Sequence, residues 1–326
     1  MAAWHVLLTF SLVLLILLRV IYVYKAIVST SWPKDYRKFR SEMIERKMIE
    51  TAPKPDTKLP IKLIIVGLAK DILDQLHMNL EYLQEIGKNF ELCKFVIVEN
   101  DSTDGTAEYL QSIQSDTIKV LSFKAGMPDA LSHGAATLKR FEVMAFWRNK
   151  YMAEIRKPEY DEFTHVMVSD LDHHVGTSFK HVATCFERAD WDMVSANGTN
   201  SLHGTFEINL YSRIARCIYY DTLAFRDKKY NRTSRRNQSE NNLPISKYRT
   251  DKKTDVFTLR APIIDSTSID WIPVTSAFGG ITIYRKDALV NCSYGAYDCE
   301  HVVLHDEMIA KGFNRMFINP RFVLYN

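Results

Sequence analysis

The sequence is short of three features that would each narrow its function: net charge, paired cysteines and internal repeats. Because 42 Lys and Arg residues oppose 39 Asp and Glu residues, the net charge of +3 gives no reason to expect a nucleic-acid partner. The five cysteines form no C-x-x-C pair, which argues against a structural zinc site, and their odd number leaves at least one thiol free or bridged to another chain. With no visible repeat, the 326 residues fit one large domain or two small ones.

One long apolar stretch is present, at Trp4–Val28. Val6–Leu18 carries no charge, and Val20–Tyr24 continues the stretch after Arg19, so it can span a bilayer if Arg19 snorkels towards one face. A cleaved signal peptide is the alternative, but the stretch has no clear charged n-region or small-residue cleavage site. We therefore expect residues 1–28 to form an uncleaved N-terminal membrane anchor.

The orientation of this anchor stays open, because two signals disagree. Basic residues follow the apolar stretch, which by the positive-inside rule places the rest of the chain in the cytosol. Four glycosylation sequons suit a lumenal location instead: Asn197, Asn231, Asn237 and Asn291. We expect a single-pass type II protein of the Golgi or endoplasmic reticulum with a lumenal catalytic domain.

Residues 29–60 are polar and contain four prolines, as expected for a stem. From residue 61 onwards, short apolar runs alternate with segments of helical periodicity. This order predicts an α/β domain over residues 61–326, with a mostly parallel central sheet flanked by helices. The predicted strands are Leu63–Val66, Phe95–Val98, Ile118–Ser122 and Phe163–Val168, and the predicted helices are a segment from Leu73, Thr103–Ile113 and Leu138–Ile155.

The pattern is looser after residue 172. The basic stretch Arg226–Lys253 reads either as a mobile surface lid or as a solvated insertion without function. The elements predicted in this half are a helix at Ser178–Ala189, strands at Met193–Ala196, Ala277–Tyr284 and Met316–Ile318, and a helix at Glu300–Lys311.

Asp170 and Asp172 directly follow the apolar run Val166–Val168 and its neighbour Ser169, with one apolar residue between them. Side chains two apart on an extended segment point the same way, so the two carboxylates repel each other unless a cation lies between them. Mg²⁺ and Mn²⁺ prefer carboxylate oxygens and often hold a substrate diphosphate as well. The carboxyl ends of strands are also where open α/β sheets bind ligands, although most isolated Asp-x-Asp triplets are solvated turns after a strand.

Two further stretches carry polar groups suited to a nucleotide. Val98–Thr106 combines acidic, amide and hydroxyl side chains between a strand and a helix, where a base and ribose can be hydrogen-bonded. Arg148 continues the apolar stripe of the helix Leu138–Ile155, so it should face inward and needs an anionic partner, either a diphosphate or Asp170. Without a role in function, Val98–Thr106 would be a capped turn and Arg148 would form a structural ion pair.

The last predicted helix, Glu300–Lys311, concentrates titratable side chains. His301 and His305 are four residues apart and share a face, which allows a metal site, although exposed histidines are more common. Asp306 or Glu307 could act as a general base in a cleft.

Five segments therefore follow one another in a definite order: Val98–Thr106, Trp147-Arg148-Asn149, Asp170-Leu171-Asp172, Gly279-Gly280 with Arg285 and Ala288, and His305-Asp306-Glu307 with Gly312 and Pro320. This order resembles the GT-A glycosyltransferases, especially family 2, and more closely the fungal capsule-associated mannosyltransferases, over Leu63–Tyr325. Two segments depart from the family 2 pattern. Glu99-Asn100 stands where Asp-Asp is usual, and Asp306-Glu307 inverts the usual Glu-Asp.

The resemblance implies a GT-A (Rossmann-like) glycosyltransferase that moves a sugar, with mannose as one candidate, from a nucleotide-diphosphate sugar to a glycan, glycoprotein or glycolipid. Mn²⁺ or Mg²⁺ would bind Asp172 and Asp170, with His305 as a weaker candidate ligand. Asp306 is the expected base if the reaction inverts configuration, with Glu307 as its alternative. A retaining reaction, which the mannosyltransferase resemblance implies, needs neither. The residues implied to bind the nucleotide sugar are Glu99, Asp101, Arg148, Asn149 and Asp170.

Two other classes fit part of the pattern. A haloacid dehalogenase-like phosphatase also places Asp-x-Asp after an apolar strand, but there the motif continues x-Thr and lies early in its domain, whereas His173 and His174 follow here. A non-catalytic glycan-binding module of the same fold is the other alternative. The three classes would differ in what they hydrolyse. A transferase would hydrolyse a nucleotide sugar, a phosphatase would hydrolyse simple phosphate esters, and a binding module would hydrolyse neither.

Overall fold

The structure is a computed structural model that describes residues 58–126, 138–199, 216–219, 221, 223–226, 263–265 and 268–325, together with residues 38 and 41. The predicted anchor lies outside these residues, as do nearly all of the stem and the basic stretch after Arg226. Within the described ranges, no helix is both long and apolar enough to cross a membrane.

The centre of the described part is one eight-stranded sheet in the order β3-β2-β1-β4-β9-β5-β10-β8, beside a separate β6–β7 pair. The strands are β1 (Leu59–Ala69), β2 (Phe90–Asn100), β3 (Ile118–Phe123), β4 (His165–Ser169), β5 (Met193–Thr199), β6 (Arg216–Ile218), β7 (Ile263–Asp265), β8 (Ile272–Pro273), β9 (Ile281–Arg285) and β10 (Met316–Tyr325). The fold is therefore mixed α/β, as predicted in its broad class.

The directions of the strands divide the sheet into two halves. β3, β2, β1 and β4 run parallel, as predicted, whereas β9 runs antiparallel to both of its neighbours, β4 and β5. β10 returns to a parallel pairing with β5, and the short β8 is antiparallel to β10. In the described part of this sheet, four of the seven pairings are thus parallel.

Helices cover both faces of this sheet. They are α1 (Leu73–Gly87), α2 (Thr106–Ser112), α3 (Leu138–Ile155), α4 (Phe179–Ala183), α5 (Lys286–Leu289) and α6 (Glu300–Ala310), with 3₁₀ turns at Pro158–Tyr160 and Thr184–Phe186. The apolar stripe predicted for α3 is confirmed, because Phe141, Ala145, Met152 and Ile155 are buried. Arg148 continues that stripe and is buried with it, also as predicted.

Alternate residues of β1 supply two separate cores. Leu63 and Ile65 pack into the core that holds the apolar side of α1, and Ile64 and Val66 pack into the core that holds α3. Successive side chains of a strand point to opposite faces, so a strand covered on both sides needs an uninterrupted apolar run. This is the reason why the run Leu63–Val66 predicted a central strand correctly.

Two predicted helices are shorter in the structure. α2 begins at Thr106 rather than Thr103, because Gly105 precedes it in the left-handed conformation, at φ 97°. The helix predicted for Ser178–Ala189 ends at Ala183 and passes into a 3₁₀ turn. There the indole N–H of Trp191 donates to two main-chain carbonyls and closes the segment before β5.

Among the predicted strands whose bounds differ from the structure, β9 and β10 differ for identifiable local reasons. β9 begins at Ile281 rather than Ala277, because Gly279 and Gly280 both have positive φ, 61° and 82°, outside the strand region. β10 continues to Tyr325 rather than ending near Ile318. It accommodates Pro320 where its register with β5 shifts, an irregularity of the kind that tolerates a strand proline.

Candidate active site

The carboxyl ends of β1, β2 and β4 lie side by side, and the loops that follow β1 and β2 brace each other. The Thr103 N–H donates to Asp71 Oδ1 at 2.7 Å, and the Asp71 N–H donates to Ser102 Oγ at 3.2 Å. The Leu73 N–H, at the start of α1, donates to Asp104 Oδ2 at 2.9 Å. These cross-links satisfy main-chain groups that a helix start leaves open, and they hold the two loops as one platform.

Glu99 lies at the end of β2 and is buried beneath this platform. Its Oε1 accepts the Ser102 N–H at 2.9 Å, and its Oε2 accepts a hydrogen bond from Ser122 Oγ on β3. Both carboxylate oxygens therefore organise the loop from within. The predicted contact between Glu99 and a nucleotide stays a prediction.

Asp101 organises the neighbouring loop after β3. Its φ of 52° is unusual for a residue other than glycine, and its Oδ1 accepts the N–H groups of Ala125 and Gly126 at 2.8 and 3.0 Å. The hydrogen bond from Gly126 is the main cause that lowers the pKa of Asp101, so the carboxylate is charged at neutral pH. Its predicted nucleotide contact is likewise untested.

Asp170 and Asp172 meet different surroundings at the end of β4. The Asp170 N–H donates to the Gly280 carbonyl at 2.9 Å, which fixes the start of the turn, and its side chain is half-buried. Burial raises the pKa of Asp170 to about 7; Arg148 opposes this rise, and the carboxylates of Asp172 and Asp221 add to it. Asp172 is exposed, and no hydrogen-bond donor or cation of the described residues contacts its carboxylate.

Arg148, on α3, joins Asp170 to the last helix. Its Nη2 donates to Asp170 Oδ1 at 3.3 Å, its Nε donates to Glu300 Oε1 at 3.1 Å, and its Nη1 donates to the Tyr151 hydroxyl at 3.4 Å. Arg148 is only 2% exposed and Glu300 only 5%. The inward orientation predicted for Arg148 is thus confirmed, and of its two predicted anions Asp170 is the one in contact.

Sequence reasoning did not assign a role to Glu300, the first residue of α6. The available signal was its position, because acidic side chains are favoured in the first turn of a helix and Glu300 is the first residue of α6. The assignment favoured Asp306 and Glu307 instead. At about 1.5 Å per residue these lie roughly 9–10 Å along the helix axis from Glu300.

Asp306 and Glu307 have partners of their own. Asp306 Oδ2 accepts the Tyr297 hydroxyl at 2.9 Å. Glu307 accepts the Ser293 N–H at 2.7 Å and pairs with Lys311. Burial works to raise the pKa of Glu307, but the hydrogen bonds from Lys311 and Ser293 outweigh it and lower the pKa, which weakens this group as a base. The role of either residue as the base stays a prediction.

His305 is buried, and both of its ring nitrogens have partners. Nδ1 lies 2.8 Å from Ser276 Oγ, and Nε2 lies 2.8 Å from the Tyr284 hydroxyl. A metal at His305 would have to displace one of these hydrogen bonds. The expectation of a shared face with His301 is met, since the two rings lie 6.2 Å apart, but both are buried rather than exposed.

Asn149 uses its whole side-chain amide on one loop. Its Nδ2 donates to the Tyr294 carbonyl at 2.9 Å, and its Oδ1 accepts the Tyr294 N–H at 3.0 Å. This arrangement ties the loop before α6 to α3 and so holds Glu300 near Arg148. The predicted contact of Asn149 with the nucleotide sugar remains untested.

Asp221, which sequence reasoning missed, and Arg226, which it wrongly placed in an exposed basic stretch, add charged groups. Asp221 accepts the N–H groups of Gly279 and Ala224 at 3.1 and 3.3 Å, and burial raises its pKa. Arg226 is buried and pairs with Asp298 at 3.2 Å. No periodicity surrounds Asp221 in the sequence, so only its folded position reveals it.

Gly279 is required where this segment meets the sheet. A Cβ at this position would lie 2.3 Å from the Ala196 carbonyl oxygen on β5, and the φ of 61° is itself unfavourable for other residues. The main chain can therefore approach β5 closely. At this point the Gly279 N–H donates to the Asp221 carboxylate. The carbonyl of the next residue, Gly280, accepts the Asp170 N–H.

The described part of the site carries more negative than positive charge. It contains two guanidinium groups, those of Arg148 and Arg226, against five carboxylates. The carboxylates are those of Asp170, Asp172, Asp221, Asp298 and Glu300. Among the described residues no set of three or more His, Cys, Asp or Glu side chains is arranged to hold a metal alone. One or two carboxylates completed by substrate phosphates and water is, however, the usual environment of Mg²⁺, so Asp170 and Asp172 fit a cation delivered with a diphosphate.

Comparison with known proteins adds resemblances in structure only. No protein-family model matches the chain, and no curated protein matches its sequence. Similar solved structures include the mannosyltransferase PcManGT from Pyrobaculum calidifontis in complex with GDP-Man and Mn²⁺, at TM-score 0.44 and 11% identity, over 90% of this chain and 64% of that one. TarS from S. aureus is similar at TM-score 0.42 and 13% identity, over 81% and 60% of the two chains.

Mannosyl-3-phosphoglycerate synthase from Rubrobacter xylanophilus is similar at TM-score 0.41 and 12% identity, over 90% of this chain and 73% of that one. The chain spans less than two thirds of the length of the PcManGT and TarS structures. With these identities and TM-scores, the resemblances assign neither an activity nor a substrate to this chain.

Proposed function

We propose that this protein is a metal-dependent glycosyltransferase of the GT-A type that uses a nucleotide-diphosphate sugar as donor. The observation that carries the proposal is the pair of carboxylates at the carboxyl end of β4. Asp172 is exposed and its carboxylate has no hydrogen bond or ion pair among the described residues, and Asp170 beside it has a raised pKa within an acidic cluster. Such a pair is suited to a divalent cation and a diphosphate together.

The residues of the chain would divide the work by position. Asp172 and Asp170 would hold Mn²⁺ or Mg²⁺, and the bound cation would stabilise the negative charge of the leaving diphosphate. The braced loops after β1 and β2, with Glu99 and Asp101 inside them, would form the floor under the nucleoside. Rigid loops suit this task because the geometry of binding is then established before the donor arrives.

The finer assignments belong to the same proposal. We take mannose as the first candidate sugar and a glycan, glycoprotein or glycolipid as the acceptor, on the resemblance of the motifs. Asp306, or Glu307, remains the base if configuration is inverted. Residues 1–28 would anchor the protein in the Golgi or endoplasmic reticulum membrane, with residues 61–326 in the lumen.

A phosphatase of the haloacid dehalogenase class fits the geometry less well. Its first aspartate must attack phosphorus, but here Oδ1 of the corresponding Asp170 is bonded to Arg148. This hydrogen bond reduces its strength as a nucleophile. A binding module of the same fold would need the same cleft but no turnover.

One experiment separates the three functions. The detergent-solubilised full chain is incubated with Mn²⁺ and a panel of GDP- and UDP-sugars, and nucleoside diphosphate release is measured with and without glycan acceptors. A transferase releases diphosphate slowly from one donor and faster with an acceptor. Hydrolysis of p-nitrophenyl phosphate instead indicates a phosphatase, and saturable donor binding without release indicates a binding module; either result contradicts the proposal.

A further inference from the structure

Every N–H-bearing nitrogen of Arg148 is directed at a group of the protein itself. Nε donates to Glu300, Nη1 to the Tyr151 hydroxyl and Nη2 to Asp170, and the residue is 2% exposed. A guanidinium group recognises a phosphate through a two-pronged fork that faces the ligand. Here three of the five N–H groups are already bonded to carboxylate and hydroxyl oxygens, and at 2% exposure the guanidinium group presents almost no surface to a substrate.

Aromatic rings also enclose the guanidinium group. Its central carbon lies 5.2 Å from the ring centre of Phe278 and 5.7 Å from that of Tyr294. The Tyr294 hydroxyl in turn accepts the Tyr151 hydroxyl at 2.9 Å, and Phe278 stacks on His301 at 3.8 Å. Cations bind such ring faces favourably, and packing on this scale restricts the plane in which the guanidinium group can lie.

The hydrogen bond to Asp170 leaves half of that carboxylate open. Arg148 contacts only Oδ1, and Oδ2 accepts no hydrogen bond from the described residues. An ionised carboxylate accepts through both oxygens, so a donor fixed on one oxygen sets the direction in which the other points. Partners of this kind around metal ligands fix ligand orientation and tune metal affinity.

We infer that Arg148, anchored by Glu300, is a positioning residue that orients Asp170 for the divalent cation and does not contact the donor phosphates. This inference rests on the proposed function, because it assumes that Asp170 and Asp172 hold a cation. It assigns to Glu300 the role of holding the guanidinium group through Nε while Nη2 contacts Asp170. It also replaces the phosphate contact that the sequence suggested for Arg148.

The test compares the affinity for Mn²⁺ with the affinity for nucleotide. Free Mn²⁺ is titrated by electron paramagnetic resonance against the full chain and the Arg148→Lys variant, which keeps the charge and loses the fork. We expect the dissociation constant for Mn²⁺ to rise about 10- to 100-fold. The affinity for GDP and UDP without metal, measured by calorimetry, should stay within about twofold.

Arg156→Lys is the matched control, since Arg156 directly follows α3 and bonds to the Val290 carbonyl, away from Asp170. It should leave the affinity for Mn²⁺ unchanged. If Arg148→Lys is poorly folded, Glu300→Gln, which keeps the shape and removes the anchoring charge, should weaken Mn²⁺ binding in the same direction.

Three results would overturn the inference in distinguishable ways. If the wild type binds Mn²⁺ and both Arg148→Lys and Glu300→Gln bind it equally well, the positioning role is wrong while the proposed function stands. If metal-free nucleotide affinity falls tenfold or more in Arg148→Lys with Mn²⁺ affinity unchanged, Arg148 is a phosphate contact. If the wild type binds no Mn²⁺ with or without nucleotide, the metal-dependent function and the positioning role both fail.

Discussion

At the scale of single residues, Asp170 and Asp172 show how one strand end can provide two unlike carboxylates. They are two residues apart, but Asp170 is half-buried against Arg148, whereas Asp172 is exposed and its carboxylate has no hydrogen bond or ion pair in the described part of the chain. A buried carboxylate that is fixed by an arginine holds its place, and an exposed one stays accessible. We therefore assign to Asp170 the orientation of the cation site and to Asp172 most of the attraction for the cation.

We expect Asp172→Asn to abolish transfer and leave the fold intact. The substitution keeps the shape and removes the charge that would hold the cation, so several kcal/mol of transition-state stabilisation are lost and transfer falls by about a hundredfold or more. The free energy of unfolding should stay level or rise slightly, because repulsion with Asp170 is relieved. Sugar transfer and urea unfolding are measured on the same preparation.

Asp116→Asn is the control for this variant, because Asp116 is exposed and precedes the amino end of β3, whereas Asp172 follows the carboxyl end of β4. It should change neither transfer nor stability. Chelation of the wild type should reproduce the Asp172→Asn loss, and Mn²⁺ should reverse it. Near-normal transfer by Asp172→Asn, or by the chelated wild type, would show that the triplet is only a turn.

The candidate site was predictable where residues are linked by local geometry. Asp170 and Asp172 follow from the alternation of a strand, and the buried position of Arg148 follows from the stripe of a helix. Glu300 and Asp221 did not emerge, because their proximity to Arg148 and Gly279 depends on how distant segments pack. No local period carries that information.

At the scale of the elements, the junction before β9 connects the fold to the site. Gly279 passes so close to β5 that a Cβ would lie 2.3 Å from the Ala196 carbonyl oxygen. The same two-glycine turn supplies the N–H that holds Asp221 and the carbonyl that holds Asp170. A shift of this turn would therefore move both carboxylates.

We expect Gly279→Ala to destabilise the protein more than Gly126→Ala does. The two glycines have nearly the same φ, 61° and 59°, but none of the described residues lies within 4 Å of a Cβ at Gly126. Both variants bear the cost of a left-handed alanine, roughly 1–2 kcal/mol, and Gly279→Ala adds about 1–3 kcal/mol for overpacking against β5. Urea midpoints measure the difference, and equal values would show that the close approach does not constrain the turn.

The elements themselves were largely readable from the sequence, but their arrangement was not. Apolar runs such as Leu63–Val66 and the stripe of α3 report burial on one or both faces, and burial determines the pattern. The direction of β9 leaves no such trace, because an antiparallel strand between two others needs the same apolar residues as a parallel one. The helical prediction over Ser178–Ala189 was too long for another reason, because the chain turns into a 3₁₀ segment after Ala183 and the indole of Trp191 bonds carbonyls of the residues that follow.

At the scale of the whole molecule, the site joins segments far apart in the chain. Arg148 and Glu300 are 152 positions apart, and they meet where α3 and α6 pack into the same core.

We expect deletion of residues 1–30 to give a soluble, folded protein that still binds Mn²⁺ and donor. The physical reason is that Trp4–Val28 would prefer the bilayer, whereas the two cores form from residues after 58. Sedimentation with membranes, circular dichroism and Mn²⁺ titration test the two forms. A full-length protein that stays in solution without detergent would contradict the anchor.

The proposed lumenal orientation makes a separate prediction about glycosylation. Of the two sequons in the described part, Asn291 is exposed in the turn after α5, whereas Asn197 on β5 is fully buried and donates to the Pro320 carbonyl at 3.1 Å. A glycan is bulky and tolerated only at the surface, so Asn291 should carry one in the folded protein and Asn197 should not. Mass spectrometry after expression in a secretory host, with and without an endoglycosidase, locates the glycan.

Asn291→Gln should remove that one glycan and leave donor binding unchanged, because Asn291 lies outside the site. An unmodified Asn291 in membrane-bound, folded protein would place this part of the chain in the cytosol and overturn the orientation.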